Sequence, residues 1–238
     1  MRTLTVVIPT LNEGKSIGPT IDVIPRDLDW LQVDIIVVDG NSTDATAAEA
    51  EKRGARVINE PRKGYGRAYK TGFAAATGEF IATLDGDTTY PAEVIPHVLA
   101  LLLNRGLDFI TCNRLSMMDP NAMSMTHKVG NWSLTQATNI LHGIHIHDSQ
   151  SGMWIFRRCI LKEIRLTSDG MPLSEEIKIE TFRRGALLGL SRSMNSRSWA
   201  LSSSTRTSTT ATAIRAPSGR TPRRRVASPK SSAPSVSA

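Results

Sequence analysis

Short apolar runs alternate with longer amphipathic stretches along the first half of this chain, and this alternation limits the possible folds more than any other feature. Runs rich in Val, Ile and Leu are expected to form β-strands at residues 4–8, 33–38, 56–58, 80–84 and 107–112. Strands without polar alternation are buried on both faces, as in parallel sheets. Helices are predicted between them, at residues 15–24, 44–53, 65–76 and 91–104. The pattern predicts an α/β fold with a mostly parallel sheet flanked by helices.

The pattern changes after residue 113. A helix is predicted at residues 127–142 and another at residues 175–184. Between them, two short apolar runs at residues 144–147 and 153–156 flank a polar segment, which is typical of a hairpin.

The last 48 residues differ from the rest in composition. Residues 191–238 contain 14 serines, 6 threonines and 9 basic residues, with no acidic residue. Such a segment buries too little apolar surface to offset the entropy lost on ordering, so a disordered tail is expected. The sequence therefore predicts a domain at residues 1–190 and a tail at residues 191–238.

The distribution of charge narrows the possible partners. The chain carries a formal charge of +7, yet residues 1–190 hold 20 basic and 22 acidic residues. The basic isoelectric point therefore reflects the tail, and the predicted domain gives no indication of a nucleic-acid partner. Cys112 and Cys159 match no metal or redox spacing. No apolar run has the length of a signal peptide or a bilayer span, so we expect a cytoplasmic protein.

Polar clusters follow four of the predicted strands. They occupy residues 9–13, 39–44, 60–67 and 85–87. Because ligands of open parallel sheets bind beyond the carboxyl ends of the strands, these clusters predict a single binding site.

The triplet Asp85-Gly86-Asp87 points to a metal. Two carboxylates at a strand end are ligands for Mg²⁺ or Mn²⁺, which is typically held by one or two carboxylates together with substrate phosphates. Lys63, Arg67 and the amide of Gly64 are expected to contact the same phosphates.

Four segments carry a resemblance to a known family. Residues 7–13, 37–44, 63–66 and 84–87 together resemble glycosyltransferase family 2, inverting enzymes with the Rossmann-like GT-A fold. Residues 90–93, 148–152 and 174–176 resemble its dolichyl-phosphate mannose synthase-like branch, especially archaeal dolichyl-phosphate hexosyltransferases. The resemblance covers about residues 3–187.

The resemblance implies three groups of site residues. The nucleotide sugar would contact Pro9, Asn12, Glu13, Asp39, Ser42, Lys63, Gly64, Arg67 and Asp85. The metal would be held by Asp85 and Asp87, and the catalytic residues would be Asp87, Arg114 and Asp148. The acceptor side would comprise Gln150, Ser151, Gly152, Glu175 and Glu176.

The same resemblance implies transfer of a hexose from a UDP- or GDP-linked sugar to a polyprenyl or dolichyl phosphate. The enzyme would contact the membrane peripherally, at its cytoplasmic face. A phosphate monoester is largely ionised near neutral pH, because its second pKa is about 6. A strong base is then unnecessary, and Asp148 would only orient the loop.

Two other functions stay open at this point. One is a family 2 transferase that uses a sugar or protein hydroxyl as its acceptor. The other is a catalytically impaired protein that binds nucleotide sugars.

The end of the chain departs from the family. Relatives continue past residue 185 with another strand, a basic stretch and membrane-facing helices, whereas this chain becomes rich in Ser, Thr and Arg. We hypothesise a shift of the reading frame near residues 186–190. A native tail would instead attach to anionic lipid.

Overall fold

The computed structural model contains one sheet and describes residues 1–26, 28–113, 125–144, 146–185, 188–192 and 213–214. The strands are β1 (Arg2–Thr10), β2 (Leu31–Asp39), β3 (Arg56–Asn59), β4 (Phe80–Thr83), β5 (Phe109–Asn113), β6 (Trp154–Arg157), β7 (Leu188–Arg192) and β8 (Ala213–Ile214). Their order in the sheet is β3-β2-β1-β4-β6-β5-β7-β8.

The strands on either side of β1 are parallel. β1 pairs with β2 and β4, and β2 pairs with β3, all in parallel register. Their carboxyl ends therefore meet at one edge of the sheet, where the polar clusters of the sequence follow.

Helices cover the sheet as the sequence predicts. They are α1 (Ile17–Asp22), α2 (Thr46–Lys52), α3 (Tyr65–Ala75), α4 (Ile95–Asn104), α5 (Met125–His142) and α6 (Leu173–Arg183). Two 3₁₀ turns, Ala92–Val94 and Arg158–Lys162, add to them. Several helices are shorter than predicted at their ends, as is usual for boundaries read from sequence.

Alternate residues of one strand enter two separate cores. Val6 and Ile8 of β1 pack with α1, α2 and α4 on one face, whereas Val7 packs with α3 and α6 on the other. All three side chains are fully buried. Burial on both faces explains why these strands are apolar without alternation.

The predicted hairpin is wrong. β6 pairs antiparallel with β4 and β5, while residues 144 and 146–147 form no strand. The side chain of Asn139 on α5 accepts a hydrogen bond from the Ile146 amide at 2.9 Å and donates one to its carbonyl at 3.0 Å. These bonds occupy the backbone groups that a strand ladder would need.

The C-terminal strands extend past the predicted domain boundary. β7 pairs in parallel with β5 and crosses residue 190, and β8 pairs antiparallel with β7. The rest of the predicted disordered tail lies outside the described residues. Within the described part of the chain, no helix has the length and hydropathy needed to span a bilayer.

Candidate active site

The carboxylate of Asp39 ends β2 in a buried position. Its Oδ2 accepts a hydrogen bond from the Ser42 amide at 3.0 Å. Its Oδ1 is buried and has no hydrogen-bond partner among the residues that the structure describes. A buried acceptor without a partner is costly, so Asp39 retains a site for an N–H donor.

The loops after β1 and β2 are tied to each other. The Asn12 amide donates to the Ser42 hydroxyl at 2.8 Å, and the Asn12 side-chain oxygen accepts from the Thr43 amide at 2.9 Å. Asn12 adopts a left-handed backbone conformation, with φ of 56°. The structure thus brings Asn12 and Ser42 together, and their hydrogen bonds hold the loops after β1 and β2 against each other. Pro9 is buried near the end of β1, opposite Val38 of β2 in the sheet.

The acidic triplet follows β4 at the same edge. Asp85 is half-buried and accepts a hydrogen bond from the Tyr65 hydroxyl at 3.1 Å. Asp87 is exposed, and its Oδ1 accepts from the Thr89 amide at 3.0 Å. Thr88, between Asp87 and Thr89, has a φ of 63°, which is unfavourable for a β-branched residue. Strained backbone of this kind is common at functional sites.

Glu13 lies against this triplet. A Cβ atom added to Gly86 would lie 1.9 Å from Glu13 Oε2, which is buried and without a partner in the described part of the chain. Burial, followed by the charges of Asp87, Asp85 and Asp44, raises the pKa of Glu13 to about 7. Negative charge is therefore concentrated at this edge of the sheet, where a cation would be favoured.

The donor atoms at this edge suit a hard divalent cation. Asp85 and Asp87 offer carboxylate oxygens one residue apart, and Glu13 adds a buried oxygen that has no hydrogen-bond partner within the described ranges. Among the described residues, no three His, Cys, Asp or Glu side chains form a metal-binding cluster. A Mg²⁺ or Mn²⁺ ion held here would therefore need oxygens from substrate phosphates as well.

The loop of residues 148–152, called here the acceptor loop, touches this edge. A Cβ atom on Gly152 would lie 2.6 Å from the Tyr65 hydroxyl and 3.0 Å from Asp85 Oδ2, so a larger residue does not fit there. The Gly152 amide donates to the Tyr90 hydroxyl at 2.7 Å, and its carbonyl accepts from Thr83 at 2.6 Å. The predicted metal side and the predicted acceptor side are therefore in direct contact.

Other residues of the acceptor loop are also brought together. Asp148 is buried, and its Oδ1 accepts from the Gln150 amide at 3.1 Å. The Gln150 side chain donates to Glu175 Oε1 at 2.7 Å, and Ser151 is buried beside them. These contacts join the acceptor loop to the first turn of α6.

Glu176 turns to a different segment. Its carboxylate accepts from the Thr167 amide at 2.8 Å and from the Ser168 amide at 2.9 Å. Burial raises the pKa of Glu176, but these hydrogen bonds outweigh it and lower the pKa overall. Glu176 thus holds the 167–168 turn in place.

Two cationic side chains near the loop after β3, Arg67 and Lys63, differ in whether they form an ion pair. Arg67 pairs with Asp169 at 2.6 Å, and its amide donates to the Asp169 carbonyl at 2.9 Å. Gly64 has a φ of 136° and packs against the same carbonyl, which a Cβ atom would approach to 2.2 Å. Lys63 is exposed and forms no ion pair with any residue in the described ranges. Lys63 is thus the more available cation for a phosphate.

Several residues of this site were not predicted from the sequence. Tyr65 and Tyr90 contact Asp85 and Gly152, and Lys178 of α6 donates to carbonyls of the acceptor loop. Tyr65 lies within the polar cluster of residues 60–67, which was the available signal. Arg114, predicted as catalytic, lies outside the described residues.

The fold and the site define the class of protein. A mostly parallel sheet with carboxylates at the ends of β2 and β4, and β6 inserted antiparallel beside β4, is the GT-A fold of glycosyltransferases. The family model described as "Glycosyl transferase family 2" matches residues 5–165, and the chain belongs to this family of enzymes.

Curated relatives agree with this assignment. The chain is 36% identical over 182 residues to the low-salt glycan biosynthesis hexosyltransferase Agl6 of Haloferax volcanii, covering 75% of this chain and 44% of the relative. It is 35% identical to the dolichyl-phosphate hexose transferase of the same organism, covering 76% and 78%. It is 29% identical to the dodecaprenyl-phosphate galacturonate synthase of Rhizobium johnstonii, covering 70% and 51%. The match thus spans about half of the first and third of these relatives.

Solved structures support the fold. Glucosyl-3-phosphoglycerate synthase from Mycobacterium tuberculosis in complex with UDP superposes with a TM-score of 0.63 at 27% identity, covering 77% of this chain and 66% of that one. The same enzyme with Mn²⁺, UDP-glucose and phosphoglyceric acid gives a TM-score of 0.64 at 26% identity, with the same coverage.

Proposed function

We propose that this chain is an inverting glycosyltransferase that moves a hexose from a UDP- or GDP-linked sugar to a polyprenyl or dolichyl phosphate. The observation that carries this proposal is the contact between Asp85, on the metal side, and Gly152 of the acceptor loop. It supports a donor diphosphate and an acceptor that meet at one point. Relatives named as a dolichyl-phosphate hexose transferase and a dodecaprenyl-phosphate galacturonate synthase support the acceptor class.

The donor half of the proposal rests on the strand ends. Asp39 offers a buried oxygen to an N–H of the base, and Lys63 is available to a phosphate. A divalent cation bound by Asp85 and Asp87 would neutralise charge on the departing diphosphate. The solved complex with Mn²⁺ and UDP-glucose supports this class of donor and cofactor.

The reaction needs no strong base on this chain. An oxygen of the ionised acceptor phosphate attacks the anomeric carbon and forms a bond to it. The bond from that carbon to the diphosphate breaks, and its electron pair leaves with the nucleoside diphosphate. Attack opposite the leaving group inverts the configuration. Asp148 is buried and accepts the Gln150 amide, which supports an orienting role for it.

The outer surface of α5 supports contact with a membrane. Five large apolar side chains are exposed on it: Val129, Trp132, Leu134, Ile140 and Leu141. Residues 129–141 contain no charged side chain, and the buried positions of the helix include Thr135 and Thr138. This polarity is the reverse of a normal surface helix, whose apolar side faces the core. We propose that this face lies in the headgroup region of the cytoplasmic leaflet.

The function is tested by transfer of radiolabelled sugar. The full chain is incubated with Mn²⁺, a panel of UDP- and GDP-sugars, and either polyprenyl phosphate or a soluble sugar acceptor. Label in the lipid phosphate product is the expected result. Label in the soluble sugar alone would favour the hydroxyl-acceptor alternative, and binding of donor without transfer to either would favour an impaired protein.

Membrane contact is tested by flotation with vesicles. Trp132→Ser combined with Ile140→Ser is expected to reduce binding at least about tenfold, because each buried side chain contributes roughly 1.5–3 kcal/mol. Trp30→Ser combined with Val23→Ser removes one tryptophan and one aliphatic side chain outside α5, which are 39% and 49% exposed, and serves as the control. Equal binding by both double variants would contradict the assignment of α5.

A further inference from the structure

Lys178 is a buried lysine. It lies in α6 and is only 1% exposed, although a lysine is almost never fully buried unless its charge is satisfied. Its Nζ donates to the carbonyls of Ser149 at 2.6 Å and Ser151 at 2.9 Å, and lies 3.4 Å from that of Asp148. Three backbone carbonyls of the acceptor loop thus converge on one ammonium group.

An aromatic ring also lies close to this ammonium group. Nζ lies 5.6 Å from the centre of the Trp154 ring, close enough for a cation–π interaction. Burial raises the pKa of the Cys112 thiol on β5 to about 12, and the positive charge of Lys178 opposes this increase. Because Lys178 is only 1% exposed, water screens the charge of its ammonium group weakly.

Burying an ammonium group costs several kcal/mol, and an apolar side chain of similar size often serves stability equally well. Stability alone does not account for the lysine. What it adds is a fixed geometry for the loop and a positive charge beneath it. A second helix also holds the loop, because the Thr135 hydroxyl of α5 accepts a hydrogen bond from the Ser149 amide at 3.2 Å.

The position of the loop matters for the site through Gly152. This glycine contacts Asp85 and Tyr65 so closely that a small displacement of the loop would change the surroundings of the Asp85 carboxylate. The nearby side chains of Asp85, Asp148 and Glu175 bear acidic groups, so an anionic acceptor would be repelled without a compensating cation.

We infer that Lys178 is a positioning residue, which fixes the acceptor loop through its carbonyls and favours a phosphate-bearing acceptor with its buried charge. This inference rests on the proposed function for the identity of the acceptor. The hydrogen bonds of Lys178 to the loop do not depend on the identity of the acceptor.

The test compares two variants of the full chain. Lys178→Met keeps the length and apolar stem of the side chain and removes the ammonium group. Ile177→Ala, at the neighbouring fully buried position, destabilises the same helix and leaves the lysine in place. Two quantities are measured: amide hydrogen exchange of residues 148–152 without substrates, and the KM values for polyprenyl phosphate and for the nucleotide sugar.

We expect exchange of residues 148–152 to accelerate in Lys178→Met and not in Ile177→Ala. The KM for polyprenyl phosphate is expected to rise about tenfold or more, while the KM for the nucleotide sugar stays within about twofold, since the loop loses hydrogen bonds to a charged group, which are stronger than those between neutral groups. Unchanged exchange, or an equal rise of both KM values, would overturn the inference.

Lys178→Gln covers the case in which the Met variant does not fold. It retains N–H donors on a shorter side chain and removes the charge, so a smaller rise in the acceptor KM is expected. An acceptor KM equal to that of the wild type would overturn the role of the charge. A wild-type chain that transfers no sugar to polyprenyl phosphate would instead end the proposed function, and the exchange experiment would still decide whether Lys178 holds the loop.

Discussion

At the scale of single residues, Glu13 shows how the site sets the charge of a side chain. Its carboxyl group titrates near pH 4.5 in an unfolded chain and near pH 7 in the folded one. Between these values the folded state holds a proton that the unfolded state has lost. Raising the pH through this window therefore lowers the free energy of unfolding.

Replacing Glu13 should remove this pH dependence. In EDTA, Glu13→Gln is expected to melt a few degrees above the wild type at pH 8.5 and close to it at pH 4.5, where both side chains are neutral. The exposed Glu51→Gln serves as the control for loss of one charge. Thermal unfolding across this pH range measures both differences. A Glu13→Gln variant with the wild type's pH profile would contradict the prediction.

Asp87 is the second residue with a direct test. Asp87→Asn removes a charged oxygen from the proposed cation site, and transfer is expected to fall about 100-fold or more, as when electrostatic stabilisation of a leaving group is lost. Mn²⁺ binding, followed by electron paramagnetic resonance, should weaken in parallel. Asp34→Asn, an exposed carboxylate paired with Arg56, is the matched control.

The sequence predicted part of this site and missed part of it, for physical reasons. Asp39, Asp85 and Asp87 follow buried strands directly, so their location at one edge came from the pattern alone. Lys178 could not be found in this way, because a lysine in an amphipathic helix normally faces solvent. Its burial depends on carbonyls some thirty positions earlier in the chain.

At the scale of elements, Thr83 joins β4 to β6. Its buried hydroxyl donates to the Gly152 carbonyl at 2.6 Å and accepts from the Trp154 amide at 2.9 Å. Thr83→Val keeps the shape and leaves both groups without their partner. The free energy of unfolding is expected to fall by about 1–3 kcal/mol, measured by urea denaturation.

Thr111 of β5 provides a matched comparison. Its hydroxyl is buried without a hydrogen-bond partner in the described ranges, so Thr111→Val should be neutral or stabilising. A loss of stability in Thr111→Val as large as in Thr83→Val would contradict the role given to the Thr83 hydrogen bonds.

The positions of β1 to β6 were predictable to within a few residues, whereas the pairing of β6 and the strands β7 and β8 were not. β1 and β2 are buried on both faces, which makes their apolar runs unmistakable. β6 also has an apolar run, but proximity in sequence favoured a hairpin with residues 144–147. In the structure β6 instead lies between β4 and β5, which precede it by about seventy and about forty-five residues in the sequence. Only long-range packing decides between these pairings.

At the scale of the whole molecule, charge is divided between the two predicted regions. Removing residues 215–238 deletes six basic residues and no acidic one. Retention on anionic vesicles at low salt is expected to decrease, since each basic residue near the surface contributes about 1 kcal/mol. Nucleotide-sugar binding, measured by calorimetry, should not change. Loss of donor binding in this variant would show that the tail belongs to the site.

We also propose that the C-terminal region arose by a shift of the reading frame near residues 186–190. The abrupt change of composition after α6 supports this, and resequencing the locus decides it. An undisturbed frame in the DNA would refute it.

The placement of β6 bears on the order in which this protein can mature on the ribosome. β6 lies between β4 and β5, so these two strands cannot be joined in the sheet until residue 157 has left the ribosome. The half of the sheet formed by β1 to β4, which would face the proposed donor, can therefore assemble before the half that would face the acceptor. Every strand from β1 to β6 has then been synthesised before the codon for residue 186. A change in the reading frame downstream of this codon would leave the proposed nucleotide-sugar site unchanged and alter only the segments synthesised afterwards.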